Sequence, residues 1–211
     1  MTMKEEVNMS KLIAAAVLAT LTLNIGAATA QESPWQVRAR AVYLDPADKS
    51  APVAGVGASD RITVSDKTIP EVDISYFFTP NWAAELVLTY PQKHDVYLDG
   101  GKIGTFKHLP PSLLLQYHFT NSTPLKPYLG AGINYTRISS VNLLGGGAHL
   151  ENDSFGLAVQ AGVDYQLDKN WSLNFDVKKV QIRSDVFIGG AKASRVKVDP
   201  VLVGVGVGYR F

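Results

Sequence analysis

The chain has 211 residues, a formal net charge of +1, 46% hydrophobic and 18% charged residues, and no cysteine. That balance excludes a disordered charged tail and gives no reason to expect nucleic acid as a partner. It also removes disulfides and thiol chemistry from consideration.

Taken in chain order, the first thirty residues stand apart. Lys11 precedes an apolar run from Leu12 to Leu23, and Ala28-Thr29-Ala30 precedes Gln31. A cation, an apolar core and a small-x-small site make a secretory signal peptide. The run falls short of the ~20 apolar residues that a transmembrane helix needs. Met9-Ser10-Lys11 would by itself make a compact signal start. The expected organisation is a signal peptide at 1–30 and one exported domain at 31–211.

From Trp35 onward apolar and polar residues alternate with period two, a strand signal. The predicted strands are 35–44, 69–78, 82–90, 109–119, 127–136, 154–166, 171–182 and 196–211. Each approaches the ~9–11 tilted residues that cross an outer membrane. A soluble β-sandwich also alternates, so alternation alone does not choose. The connections do. They run 45–68, 79–81, 91–108, 120–126, 137–153, 167–170 and 184–195, long and short in turn. This predicts an all-β fold: an eight-stranded antiparallel up-and-down transmembrane barrel, long loops outside and tight turns in the periplasm. Thr79-Pro80-Asn81 and Asp168-Lys169-Asn170 have turn chemistry. The loop at 137–153 has room for a short helix.

Aromatics fall at one level. Trp35, Trp82 and Trp171 open upward strands on the apolar face, and Phe78, Phe119, Tyr165 and Phe211 close downward ones. Amphipathic rings favour the bilayer boundary, so these seven predict a periplasmic girdle in contact with outer-membrane lipid. Tyr128 is the exception, on the inward set, and Tyr43, Tyr90 and Tyr135 suggest a weaker upper ring.

Several segments then resemble the outer membrane protein W family. They are His108-Leu109-Pro110-Pro111-Ser112-Leu113-Leu114-Leu115-Gln116-Tyr117-His118-Phe119, Lys126-Pro127-Tyr128-Leu129-Gly130-Ala131-Gly132-Ile133-Asn134-Tyr135-Thr136, Gln160-Ala161-Gly162-Val163-Asp164-Tyr165, Val198-Asp199-Pro200 and Gly208-Tyr209-Arg210-Phe211. The resemblance implies an eight-stranded barrel with a narrow, partly apolar interior. It also implies uptake of small hydrophobic molecules and, in some members, recognition by bacteriocins.

An eight-stranded interior is just wide enough to be filled by side chains. The inward set predicts a polar network of Arg38, Arg40, Glu71, Asp73, Glu85, His118, Asp164, Asp176, Lys178 and Arg210. Buried charges must pair, and a paired layer also makes a floor. Nearer the long loops Val42, Leu44, Leu114 and Val180 predict an apolar funnel, extended by loop residues such as Phe106 and Leu143. Lys178 and Asp176 stand against a wholly apolar path. Pro110 and Pro111 lack the N–H that a ladder needs, which predicts a lateral gap through which a solute leaves into the bilayer.

Other chemistry is thin. His94, His108, His118 and His149 lack zinc spacing. Gly145-Gly146-Gly147 lacks the setting of a phosphate loop. Ser112 and His118 lie three steps of two apart on one strand, too far for a nucleophile and its base. The sequence therefore predicts no catalytic, metal or cofactor site. It predicts a monomeric conduit for small hydrophobic solutes in the outer membrane. The alternatives are an inert barrel whose loops bind a partner, and a lipid-modifying enzyme.

Overall fold

The computed structural model describes residues 33–211, so the expected signal peptide at 1–30 lies outside the described residues. Eight strands close a ring: β1 (Trp35–Asp45), β4 (Lys67–Phe77), β5 (Trp82–Leu88), β8 (Ser112–His118), β9 (Leu125–Leu143), β11 (Asp153–Gln166), β12 (Trp171–Val180) and β15 (Val201–Arg210). Every pairing is antiparallel, and β15 returns to β1 (Gln36↔Arg210 through Asp45↔Val201). Every strand of the ring has a paired neighbour on both sides, so the spanning sheet has no free edge strand.

The pleat sorts the side chains. Along β12 exposed and buried residues alternate strictly: Trp171, Leu173, Phe175, Val177 and Lys179 face out, Ser172, Asn174, Asp176, Lys178 and Val180 face in. The apolar set lies outside and the charged set inside, the inverse of a soluble protein. Three short turns are held by side-chain acceptors. Thr79 Oγ1 accepts from the Trp82 N–H, Asn121 Oδ1 from Thr123, and Asp168 Oδ1 from Asn170 and Trp171.

The long connections depart from expectation. They are a second tier of strands rather than coil. β6 (Gln92–Leu98) and β7 (Gly101–Leu109) continue β5 and β8, and β13 (Arg183–Ile188) and β14 (Ala191–Lys197) continue β12 and β15. With β2 (Lys49–Ser50), β3 (Ile62–Val64), β10 (Ala148–Leu150) and the upper half of β9 they pair in the order β2-β14-β13-β10-β9-β7-β6-β3. Ser50 joins the two ends, accepting from the Asp60 and Ile62 N–H groups. This crown meets the barrel at breaks beside Pro46, Pro91, Pro110-Pro111 and Pro200, where the missing N–H ends a ladder at no cost. The loop with room for a helix holds a single 3-10 turn, Leu144–Gly146.

Candidate functional site

The interior divides into two layers. The lower is ionic. Arg38, wholly buried, donates to Asp164 Oδ2 (2.6 Å), Glu85 Oε2 (2.7 Å) and Ser75 Oγ (3.0 Å). Arg40 lies one inward step higher, against Asp73, Asp176 Oδ1 (3.1 Å), Glu71 Oε1 (3.4 Å) and Glu85 Oε1 (3.5 Å). Lys178 Nζ reaches Glu71 Oε1 (2.9 Å) and lies 4.0 Å from Asp176. Eight of the ten residues predicted for this network thus meet directly. His118 joins through Gln116, whose Oε1 lies 3.0 Å from its Nε2. Arg210 stands one inward step below Arg38, its guanidinium 4.2 Å over the ring of Phe77 and its Nε donating to the Ser33 carbonyl.

β15 makes room for the two arginines. A Cβ on Gly206 would lie 2.1 Å from the Ala39 carbonyl oxygen and 2.8 Å from Arg40 Cγ. Only a residue without a side chain lets the arginine stem lie flat on that wall. Tyr128, the aromatic out of step with the girdle, completes the layer. Its hydroxyl donates to Asp176 Oδ2 (2.8 Å) and accepts from Asn174 Nδ2 (3.0 Å), and Arg38 lies 5.1 Å over its ring. Gln160 bridges Glu85 and Asp176. The inward parity of Tyr128 was visible in sequence. Its hydrogen bonds were not, because they join segments 46 to 48 residues apart.

The upper layer is apolar. Val42, Leu44, Leu114 and Val180 are brought into one buried cluster with Val87, Ile69, Ala158, Ile182 and Leu202 from the barrel. The crown adds Ile62, Val64, Val96, Phe106, Ile138, Leu143, Val186 and Val196. Val53 and Ile103 pack against it, whereas Val56, Leu144 and Ile188 point to the outside. The cluster is closed, with Leu44 at 0% and Leu114 at 1% exposure, so a solute must displace side chains to occupy it.

Pro110 and Pro111 do not separate β7–β8 from β9. The register runs on across them, from Leu109↔Arg137 to Ser112↔Asn134, and the Pro111 carbonyl accepts from Tyr135 N–H at 3.1 Å. They border the opposite edge, where the pairing with β5–β6 skips from Val87↔Ser112 to Gln92↔His108. The longer interruption lies one strand further round. β4 and β5 pair as far as Val72↔Leu88, and pairing resumes only at Ser65 and Asp95. Among the described residues no ladder pairing joins 66–71 to 89–94; side chains span it, as Thr89 Oγ1 to the Pro70 carbonyl (2.9 Å). Pro70 and Pro91 flank this stretch.

Outside, Trp35, Phe78, Trp82, Phe119, Tyr165, Trp171 and Phe211 all project at the short-turn end, exposed by 36% to 52%. Each tryptophan meets a tyrosine of the neighbouring strand edge to face: Trp35 and Tyr76 (4.8 Å), Trp82 and Tyr117 (5.0 Å), Trp171 and Tyr209 (4.9 Å). These three tyrosines were not in the predicted girdle; each stands directly opposite its tryptophan, a pairing that is defined only once register is known. Tyr43, Tyr90 and Tyr135 project outward at the upper level.

With an inverted barrel and a two-layer interior in view, the relatives are informative. Residues 31–211 match the OmpW family. The outer-membrane protein y4mB of Sinorhizobium fredii is 45% identical over 186 residues, 85% of this chain and 80% of that one. The dibenzothiophene metabolism operon protein PahQ of Pseudomonas aeruginosa is 26% identical over 86% of this chain and 90% of its own. The crystal structure of the outer membrane protein OprG from Pseudomonas aeruginosa superposes with a TM-score of 0.75 at 29% identity, covering 86% of this chain and 97% of the other. The family match over residues 31–211, and the barrel that carries it, make this chain a member of the OmpW family, resident in the bacterial outer membrane.

Proposed function

We propose that this protein is a passive, monomeric conduit that carries small hydrophobic molecules inward and releases them sideways into the bilayer. The observation that carries the reading is the stacking of an apolar cluster on a closed ionic layer. An apolar solute gains ~25 cal/mol per Å² removed from water in the upper layer. It gains nothing by crossing the lower one, where it would have to part paired charges. The unpaired stretch between β4 and β5–β6 opens at the level of the cluster, beside Ile69, and offers the way out. The name of PahQ, from an operon for an apolar heterocycle, accords with a hydrophobic solute. Movement down a gradient calls for no nucleotide, metal or chemical step.

The closed packing of the upper layer favours a second reading, in which the barrel is an inert anchor and the crown binds a partner. Uptake separates them. Vesicles holding the refolded barrel should take up a fluorescent apolar reporter faster than protein-free vesicles, and should exclude glycerol equally well. Equal reporter uptake with and without protein would favour the anchor. The enzyme reading has no support in the geometry, for Ser112 Oγ accepts from Asn134 while His118 pairs with Gln116.

A further inference from the structure

Within the apolar crown one group of side chains is out of place. Gln92, His94 and His108 point inward from β6 and β7, each at 0% exposure. They stand beside Phe106 and Val96, at the upper rim of the unpaired stretch. The two imidazoles stack at 4.7 Å and 17°. Gln92 Oε1, His94 Nε2 and both nitrogens of His108 find no hydrogen-bond partner among the described residues. A buried polar atom left so forfeits its hydration with nothing in return, and apolar residues of the same shape would avoid that cost.

Their chemistry can be assigned. His94 Nδ1 lies 2.8 Å from the Ser65 carbonyl oxygen, which only accepts, so Nδ1 carries the proton and Nε2 is left as an acceptor. Gln92 Nε2 donates to the Tyr90 carbonyl (3.0 Å), which orients Oε1 as an acceptor. Burial first, then the neighbouring His94 and Lys67, pushes His108 down to about 3, and burial lowers His94 too. Both rings are therefore neutral near pH 7, and His108 offers one donor and one acceptor. Three acceptors face one donor. Among the described residues no three His, Cys, Asp or Glu side chains are placed to hold a metal ion.

We propose that Gln92, His94 and His108 recognise a hydrogen-bond donor, a hydroxyl above all, on an otherwise apolar solute as it passes from the crown to the wall opening. The inference rests on the conduit reading and narrows its solute class to apolar molecules bearing an alcohol or phenol. An O–H satisfies what the protein leaves unsatisfied, and a methyl ether of the same skeleton does not. Preference for the hydroxyl compound should be roughly ten- to a hundredfold.

The test compares 2-naphthol with 2-methoxynaphthalene on the refolded exported chain, by uptake into vesicles and by 15N resonances of the histidine rings in detergent. The expected result is tighter binding of 2-naphthol and a shift of His94 Nε2 with that compound alone. Replacing both histidines by phenylalanine, or Gln92→Met where the double variant fails to fold, should shrink the difference between the two solutes. Equal binding with unmoved ring nitrogens overturns the site while leaving the conduit standing. If neither compound enters vesicles, the conduit reading fails, and the ring titration of the unaltered protein still decides the site.

Discussion

Arg40 is the hub of the ionic layer, and its removal gives the clearest energetic prediction. Its guanidinium stands against Asp73, Asp176, Glu71 and Glu85, with its side chain wholly buried. Arg40→Met keeps the stem and deletes the charge. It strands four carboxylates with only Lys178, Arg38 and neutral donors to hold them. Breaking a buried ion pair from one side costs ~3–5 kcal/mol, a large part of a typical total of ~5–15 kcal/mol. Urea unfolding in vesicles, followed by the three girdle tryptophans, measures it. The companion variant Arg40→Met with Asp73→Leu should lose less than the sum of the single changes, by ~0.5–3 kcal/mol, because both residues belong to one network. A loss below ~1 kcal/mol for Arg40→Met would show that the layer does not hold the barrel together, and the reasoning would be refuted.

Two further predictions follow from packing and charge. A Cβ on Gly162 would lie 2.3 Å from Cζ and Oη of Tyr128, so Gly162→Ala should displace the ring, break its bonds to Asp176 and Asn174, and cost ~1–3 kcal/mol in the same urea assay. His108 is held neutral in the fold, at about 3 against 6.5 when free, so its contribution is fully present above about 6.5 and is lost as pH falls toward 3. Crown stability, read by proteolysis across 92–109, should decline over that window, and His108→Leu should make the decline shallower.

Sequence and structure agree where one rule governs each residue. Period two separates Val177 from Lys178 and Ala39 from Arg40 before any partner is known, so the ring of strands and its inward charges were legible. Short turns were legible from Thr79 and Asp168, whose side chains act within three residues. The crown was not. β2 pairs with β14 across about 145 residues of chain (Ser50↔Val196), and two residues of strand carry no pattern. The wall opening was half legible: Pro110-Pro111 announced a weak ladder, but across the longer break the register is unchanged (Val72↔Leu88 below, Val64↔Val96 above), so no change of pattern marks it in sequence. Arg210 faces inward as parity predicts, but parity fixes direction and not height; its place one step below Arg38, over Phe77, required the register.

The account rests on a solute leaving through the wall between β4 and β5–β6. With no native cysteine, a pair at Pro70→Cys and Tyr90→Cys can staple that opening, for the registers on either side (Val72↔Leu88 and Val64↔Val96) set these two exposed positions opposite each other. Reporter uptake should stop when the pair is oxidised and return on adding reductant. Uptake at the same rate in both states would place the exit elsewhere and contradict the account.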